Sequence, residues 1–390
     1  MKKKDILDFE QEEYFLIESE KDFELNEGKE IFKNLKEIFF DCEGVNLSKE
    51  GKLCILQIAV IFKKKIKIFI FDLIKGKEEL IKILKPILED KKILKIIHDV
   101  KRDSEALYYQ FNIKLNEIFD TQLAYSEIFK KENSILPNFI SLVELLKEYC
   151  EIDYSEKKKL PHVEMQDGST WEKRPLEKTL LESSMKDVLY LIPLFNKLKI
   201  KLNEISTIEE NLMSKIVVLS SLWSNSLIHH ELEIKENKLT FIDEFYSNES
   251  KYSMRCFRSP SVDLIKVIIG AKYKNVPEYQ LKFDSYFFST GIREPKDMFF
   301  FMGETKNIQD FTDMIPEKHE NYRILNSQID FMFKKNFLKN LRIESNCSIG
   351  LFTNDIIDGK YNELKIFGKE KNIEFVKKSV KALLESKQKK

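Results

Sequence analysis

Two acidic residues, Asp41 and Glu43, follow directly on the apolar run Ile38–Phe40 and stand two residues apart. The run predicts a buried strand, and alternate side chains of a strand point to the same face, so both carboxylates face one side of the sheet. Two negative charges this close at the end of a hydrophobic strand are unfavourable unless a cation lies between them, and divalent metal ions are the usual cation. The alternative is that the strand simply ends here and both acids are solvated.

Further charged residues stand in or beside other predicted elements. The segment His98–Asp103 lies where a buried strand turns into a helix, and Asp187 lies inside a later helix. An enzyme that cleaves phosphodiesters with two metal ions needs several carboxylates from different elements, because they must hold the ions about 3.5–4 Å apart. The chain therefore offers enough acids for such a site if the fold brings these elements together.

The elements that must position these acids alternate between strand and helix patterns in the first half of the chain. Three antiparallel strands followed by β-α-β units indicate an α/β layer fold. The predicted strands are Tyr14–Ile17, Ile38–Asp41, Leu53–Val60, Lys67–Asp72 and Ile93–Ile97, and the predicted helices are Glu30–Leu35, Glu78–Leu88 and Ser104–Phe111, with a largely helical pattern from Leu142 onward.

Composition limits the classes of protein to consider. The 390 residues are 43% hydrophobic and include 65 basic and 65 acidic residues, and such a neutral chain neither excludes nor requires nucleic acid as a partner. Five scattered cysteines without a CxxC pair argue against zinc and disulfide frameworks and favour a reducing compartment, the cytoplasm or alternatively the nucleus. We expect no signal peptide and no membrane partner, because the apolar stretches are too short.

Five segments, taken in their order and spacing, resemble the DEDD superfamily of 3′–5′ exonucleases, with the ribonuclease D type as the closest broad branch. The form of the first, third and fourth segments is more similar to the Egalitarian-like subgroup. The resemblance covers about residues 10–200 and implies a ribonuclease-H-like α/β domain, a mixed sheet flanked by helices. The segments are Phe40–Leu47, Ile97–Asp103, Ile118–Gln122, Lys173–Leu176 and Asp187–Leu191.

The resemblance also implies roles for individual residues. Asp41 and Glu43 match the first motif, Asp103 the second and Asp187 the last, so these four are the expected catalytic residues and ligands of two divalent ions, Mg²⁺ or Mn²⁺. Asp41 would bridge both ions, Glu43 and Asp187 would hold the ion nearer the attacking water, and Asp103 would complete the other coordination shell. Asp99 lies in the same segment as Asp103 but does not match the ligand position.

Three further residues of these segments have other expected roles. Asp120 is predicted to be a structural hydrogen-bonding residue at a strand end, and Arg174 is predicted to hold the loop of the active site. The ribonuclease D branch carries a Tyr four residues before the last Asp, and this chain has Ser183 there. A serine hydroxyl is a poor base near neutral pH, and loss of a general base typically costs about 10²–10⁴-fold in rate.

The last 140 or so residues contain an internal repeat. The segment Gly303–Ile308 returns 65 residues later as Gly368–Ile373, each time after an aromatic-rich strand and before an amphipathic helix. If the helical stretches Val262–Tyr273 and Ile329–Leu341 are each broken in two, both copies have the order β-α-α-β-β-α. We interpret the copies as two small related α+β modules; the alternative is coincidence in a sequence rich in Lys, Asn and Ile.

This element order resembles type I KH domains, which clamp about four nucleotides with a GXXG loop between their first two helices. In the first module Gly270 and Lys272 stand at that loop, with Tyr273 in place of the second Gly. In the second module Lys334 and Lys335 are the nearest match, and neither Gly is kept. The four residues are predicted to contact nucleic acid; the alternative is that the modules pack on the exonuclease domain or on a protein partner.

The sequence therefore predicts an exonuclease domain at residues 1–205, a helix and linker at 206–250, and KH-like modules at 251–318 and 319–390. The predicted function is metal-dependent 3′–5′ hydrolysis of RNA or single-stranded DNA, and slow hydrolysis is the expectation because Ser183 stands in place of the usual Tyr. The alternative is a non-catalytic RNA-binding adaptor built on an inactive exonuclease fold. A purely structural protein-interaction module is a third class.

Overall fold

The chain forms two compact units, residues 1–230 and 231–390, and each is described by itself. The computed structural model describes residues 12–134, 139–155, 168–228, 240–247, 251–258, 286–289, 298–312, 318–325, 337–345, 347–353, 361–368 and 370–388. No helix within these ranges combines the length and the apolar character needed to cross a membrane.

The first unit is built on a six-stranded mixed sheet in the order β1-β4-β3-β2-β5-β6. The strands β2, β3 and β4 are antiparallel neighbours, whereas the pairs β1–β4, β2–β5 and β5–β6 are parallel. This mixed sheet confirms the predicted α/β fold. Its strands are β1 (Glu12–Ile17), β2 (Glu37–Val45), β3 (Lys52–Phe62), β4 (Lys65–Asp72), β5 (Leu94–Ile97) and β6 (Ile118–Asp120).

Helices of the first unit pack along this sheet, and α7 is the one that matters for the site. It crosses β2, β3, β4 and β5, and its Phe195 packs edge-on against Phe39 of β2 and Phe119 of β6. The helices are α1 (Glu20–Leu25), α2 (Gly28–Phe32), α3 (Lys77–Glu89), α4 (Lys101–Phe111), α5 (Thr121–Asn133), α6 (Leu142–Cys150), α7 (Lys178–Ile205) and α8 (Leu212–Trp223), with a 3-10 turn at Gly168–Glu172.

The last helix of this unit, α8, extends it beyond residue 205, where the sequence analysis ended the exonuclease domain. The helix packs on β6, α5 and α7. Ser220 Oγ accepts a hydrogen bond of 2.9 Å from Asp120 N, and Lys215 Nζ lies 2.9 Å from Oε1 of the buried Glu127. Apolar and charged contacts therefore both join α8 to the first unit.

The second unit contains two antiparallel sheets, in the orders β7-β8-β10-β9 and β11-β13-β12. In each repeat copy the last strand lies between the other two, and a helix begins within two residues of its end. The strands are β7 (Thr240–Tyr246), β8 (Tyr252–Arg258), β9 (Tyr286–Ser289), β10 (Met298–Glu304), β11 (Lys318–Leu325), β12 (Ser348–Thr353) and β13 (Tyr361–Gly368), and the helices are α9 (Thr305–Thr312), α10 (Phe337–Ser345) and α11 (Glu370–Gln388).

Two features of the second unit bear on the sequence analysis. Strand β7 lies in the segment predicted as linker, and it pairs along its length with β8. The second copy has its own core, in which Ile373, Val376 and Val380 of α11 pack with Ile349 and Leu364 of the sheet. The matching sheets support the repeat, while the KH-like assignment stays a prediction.

Candidate active site

The end of β2 places Asp41 and Glu43 at an opening in the sheet. The pairing of β2 with β5 ends at Phe39, whereas the pairing with β3 continues past Glu43. The register with β3 shifts between Glu43 and Gly44, and a Cβ at Gly44 would lie 2.1 Å from Lys52 O, so no side chain fits there. Both acids therefore lie on β2 beyond its last pair with β5, and the register with β3 shifts directly after Glu43.

Helix α7 brings Asp187 to the same place. Phe195 lies against Phe39, and Asp187 stands eight residues earlier on α7, so the helix runs back along β2 towards Asp41. Asp187 is almost fully buried. Each of Asp41, Glu43 and Asp187 offers a carboxylate oxygen, and these three atoms all lie within 4.8 Å of one another.

This donor set fits a divalent metal ion. Three carboxylates held so close repel one another, and the low exposure of Asp187 limits the relief that water can give. Oxygen-only ligands are those of Mg²⁺, Mn²⁺ and Ca²⁺, whereas zinc sites usually use His and Cys. The residues that the sequence predicted as ligands on β2 and α7 thus come together in an arrangement that suits such a cation.

Asp103 lies beside this group rather than within it. It belongs to the first turn of α4, and its Oδ1 accepts a hydrogen bond of 3.0 Å from Cys42 N, between the two acids of β2. Burial, followed by the negative charge of Asp41, raises the pKa of Asp103 well above its ordinary value. The residue is therefore close to the charge of Asp41, and its role as a metal ligand stays a prediction.

Asp120 holds the turn that leads into α4, which confirms its predicted structural role. Its Oδ1 accepts hydrogen bonds of 2.9 Å from Asp99 N and Gln122 N, and its Oδ2 accepts one of 3.0 Å from Val100 N. Asp99 has a φ of 59°, a left-handed conformation that few side chains favour. Asp120 thus fixes the turn immediately before the helix that carries Asp103.

Arg174 pins the segment after the 3-10 turn, as predicted. Its Nη2 donates to Asp72 Oδ1 at 2.7 Å, its Nε donates to Asp72 Oδ2, and its Nη1 donates to Trp171 O at 2.7 Å. Asp72 is buried at the end of β4. The sequence analysis missed Asp72 as the partner, although an acid that ends an apolar strand was the same signal that singled out Asp41.

A second residue that the sequence analysis missed is Tyr154, which follows α6. Its hydroxyl donates to Ser183 O at 3.1 Å and lies 3.3 Å from Ser183 Oγ. The ring is almost fully buried and meets Tyr190 edge-on, with the ring centroids 5.1 Å apart. A phenol from another segment thus contacts the helical position where the resemblance implied a Tyr, and only a search beyond α7 could have found it.

The predicted nucleic-acid contacts of the second unit cannot be compared in this way. Gly270, Lys272, Lys334 and Lys335 lie outside the described residues. They therefore stay predictions from the repeat and from its KH-like element order.

Comparisons with known proteins show what the first unit is similar to. Residues 16–203 match the family model described as 3′–5′ exonuclease, so this part of the chain is similar to 3′–5′ exonuclease domains. The piRNA biogenesis protein EXD1 of Mus musculus is 35% identical over 159 residues, which are 39% of this chain and 27% of the mouse protein. The exosome complex component 10 of Homo sapiens is 28% identical over 182 residues, which are 46% of this chain and 18% of the human protein.

Among solved structures, Trypanosoma brucei RNase D in complex with GMP aligns with a TM-score of 0.48 and 22% identity, over 58% of this chain and 68% of that chain. The match to the mouse EXD1 protein spans less than a third of that relative's length. The similarity therefore concerns the exonuclease domain, and the Egalitarian-like subgroup stays a prediction.

Proposed function

We propose that this chain is a metal-dependent 3′–5′ exonuclease that releases nucleoside monophosphates from RNA or single-stranded DNA. The observation that carries the proposal is the group of three carboxylate oxygens of Asp41, Glu43 and Asp187, all within 4.8 Å of one another and all within the residues that match the 3′–5′ exonuclease model. RNA is the favoured substrate, because the mouse relative is named for piRNA biogenesis.

Four carboxylates would hold two ions, Mg²⁺ or Mn²⁺. Asp41, Glu43 and Asp187 form the shared group, and Asp103 would join through the oxygen that Cys42 N does not contact. When bound, the ions lower the pKa of water and neutralise charge that develops on the phosphate. The chain itself contributes the fixed positions of these carboxylates, because α7 and the first turn of α4 are both anchored against β2.

We expect slow hydrolysis because of the residue at position 183, where a side chain should orient or deprotonate the attacking water. Ser183 stands one helical turn before Asp187, and its hydroxyl lies beside that of Tyr154. A serine hydroxyl is a poor base at neutral pH, and the hydroxyl of Tyr154 donates its hydrogen bond to Ser183 O. The expected rate is therefore about 10²–10⁴-fold below that of an enzyme with a general base at this position.

The serine at position 183 also supports a second candidate function, a non-catalytic RNA-binding adaptor. In this candidate the exonuclease fold holds RNA or a protein partner without hydrolysis, and the hydroxyl of Ser183 serves only to pack against Tyr154. The gathered carboxylates favour the enzyme instead, because an adaptor has no need to keep three repelling acids within 4.8 Å.

A degradation assay separates the two candidates. The full chain is incubated with 5′-labelled single-stranded RNA or DNA and Mn²⁺, and the Asp41→Ala/Asp187→Ala double variant is the control. We expect stepwise shortening from the 3′ end with the wild type and none with the control. Equal backgrounds for both proteins, with RNA still bound in a titration, would support the adaptor and contradict the enzyme.

For the second unit we propose RNA binding through the two KH-like modules, or docking of a protein partner on them. Lys272→Glu and Lys334→Glu/Lys335→Glu variants test the RNA proposal, because removing phosphate contacts lowers both the affinity and its dependence on salt. Unchanged affinity and salt dependence would contradict it. We also propose the cytoplasm, or else the nucleus, as the compartment, because none of the five buried cysteines is assigned to a disulfide.

A further inference from the structure

Gln57 in the middle of β3 has a buried amide without a partner. Its side chain is 0% exposed, and within the described residues neither Nε2 nor Oε1 has a hydrogen-bond partner. Buried amides are almost always hydrogen-bonded, because an unpaired donor or acceptor loses its contact with water and gains nothing in return. Such an amide is therefore expected to pair with a polar group within its reach.

The strand register shows which group is nearest. Gln57 is directly opposite Asp41 on β2 and directly opposite Ile70 on β4. Residues that face each other on neighbouring strands point to the same side of the sheet, with Cβ atoms about 4.5–5.5 Å apart. The amide of Gln57 thus lies on the side of the sheet that carries the three carboxylates, next to Asp41.

Two other acids on the strands of this side, Asp72 and Glu43, are less suitable partners. Both oxygens of Asp72 accept hydrogen bonds from Arg174, and Oδ1 also accepts one from Ile74 N. Glu43 faces Ile55 instead of Gln57, which makes it a diagonal and more distant neighbour. Asp41 is therefore the acid that the amide can reach from directly across the strand pair.

We infer that Gln57 is a positioning residue for Asp41: in the metal-loaded protein its Nε2 donates a hydrogen bond to the Asp41 carboxylate and holds it in the orientation that binds the ion. Hydrogen-bonding partners of ligating side chains orient them and commonly change metal affinity 10–100-fold. The inference rests on the proposed metal site and adds a residue that contacts neither the ion nor the substrate.

The test compares Mn²⁺ binding by calorimetry with thermal unfolding in the presence of chelator, on the full chain. Gln57→Met removes the amide and keeps the length of the side chain. Ile58→Met is the matched control, because the neighbouring side chain points to the opposite side of β3. We expect Gln57→Met to bind Mn²⁺ at least 10-fold more weakly than wild type, with an unchanged or higher unfolding temperature in chelator, and Ile58→Met to bind like wild type.

The outcomes separate this inference from the proposed function. If wild type binds Mn²⁺ and Gln57→Met binds it within twofold, the inference is wrong and the metal site stands. If wild type does not bind Mn²⁺, both are wrong. An equal loss of affinity in Ile58→Met would show that β3 is generally sensitive and would also overturn the specific role of Gln57.

A measurement on the wild type keeps the test decisive if Gln57→Met does not fold. In protein labelled with ¹⁵N-glutamine, the side-chain amide signal of Gln57 is identified by its absence from Gln57→Asn. We expect this signal to shift when Mg²⁺ is added, because the amide gains an acceptor. A signal that does not move while Mg²⁺ binds would overturn the inference.

Discussion

At the scale of single residues, Asp187 is the test of the carboxylate group, because it is the most buried of the three. We expect Asp187→Asn to unfold in chelator at the same temperature as wild type or higher, since one of three repelling charges is removed. Wild type should gain about 2.7 kcal/mol of stability at a Mn²⁺ concentration 100 times its dissociation constant, and the variant should gain little. Thermal unfolding with and without Mn²⁺ measures both effects.

Asp99→Asn is the control for this prediction. Asp99 lies in the same motif as Asp103, but it pairs with Lys101 at 3.2 Å and is not in the carboxylate group. The control should keep the full gain from Mn²⁺. A full gain in Asp187→Asn as well would contradict the metal site at this position.

Lys95 gives a prediction about pH in a part of the fold that takes no part in the chemistry. It is fully buried in β5, and its Nζ donates to Asp90 O at 2.6 Å and to Ile93 O at 2.7 Å. Burial lowers the pKa of Lys95 to about 8. Between about pH 8 and the unfolded pKa near 10.4 the unfolded chain binds more protons, so the stability contributed by Lys95 should rise with pH across this range.

Urea unfolding of wild type and Lys95→Met at pH 7, 9 and 10.5 checks this sign. The difference in unfolding free energy should change in favour of wild type as pH rises, and the comparison cancels the other groups that titrate in this range. Two curves that stay parallel from pH 7 to 10.5 would mean that Lys95 keeps an ordinary pKa in the folded protein.

The residues of the site differ in how far the sequence could predict them. Asp41 and Glu43 were found because acids at the end of an apolar strand are unusual, Asp187 was found through the family resemblance, and the structure brings the three together. Tyr154 and Gln57 were missed because neither type nor spacing marks them: their importance comes from a contact with Ser183 and from the register opposite Asp41. Tertiary contacts and strand register are properties of the fold that local patterns do not contain.

At the scale of elements, the 3-10 turn and the residues after it depend on one ion pair. Arg174 is mostly buried and binds both oxygens of the buried Asp72. Arg174→Met leaves that carboxylate without its cation, and the loss of one partner from a buried pair costs about 3–5 kcal/mol. Urea unfolding should show a decrease of this size in the free energy of unfolding.

The matched control for Arg174 joins the same turn to the same sheet at the surface. Lys52 on β3 lies 3.2 Å from Glu172, and both side chains are well exposed. Lys52→Met should therefore cost no more than about 1 kcal/mol. Similar losses in the two variants would mean that the segment is not held through the buried pair.

Elements with strong apolar patterns were predicted well, whereas the strand β7 was not predicted. The predicted strands Leu53–Val60 and Lys67–Asp72 lie within β3 and β4, because their buried residues form long runs. The strand β7 was missed because polar residues surround it and suggested a linker. The strand forms because it pairs with β8, and local sequence patterns do not show this pairing.

At the scale of the whole molecule, the exonuclease match and the compact unit do not end together. The match ends at residue 203, whereas the first unit continues to residue 230. The difference includes α8, whose side chains Leu212, Ile216, Leu219 and Trp223 are buried. Burial of one such side chain contributes about 1.5–3 kcal/mol, so four of them rival the 5–15 kcal/mol that stabilises a typical domain.

Two fragments of the chain test whether the unit that folds on its own ends at residue 205 or at residue 230. Residues 1–230 should unfold in one cooperative transition and gain stability from Mn²⁺ as the full chain does, because the carboxylate group and α8 are both present. Residues 1–205 keep every predicted ligand but lose α8, together with the Lys215 contact to the buried Glu127 and the Ser220 contact to Asp120 N. This shorter fragment should lack a cooperative transition in calorimetry. If it instead unfolds cooperatively and binds Mn²⁺ like the longer one, α8 is dispensable and the boundary at residue 205 is the correct one.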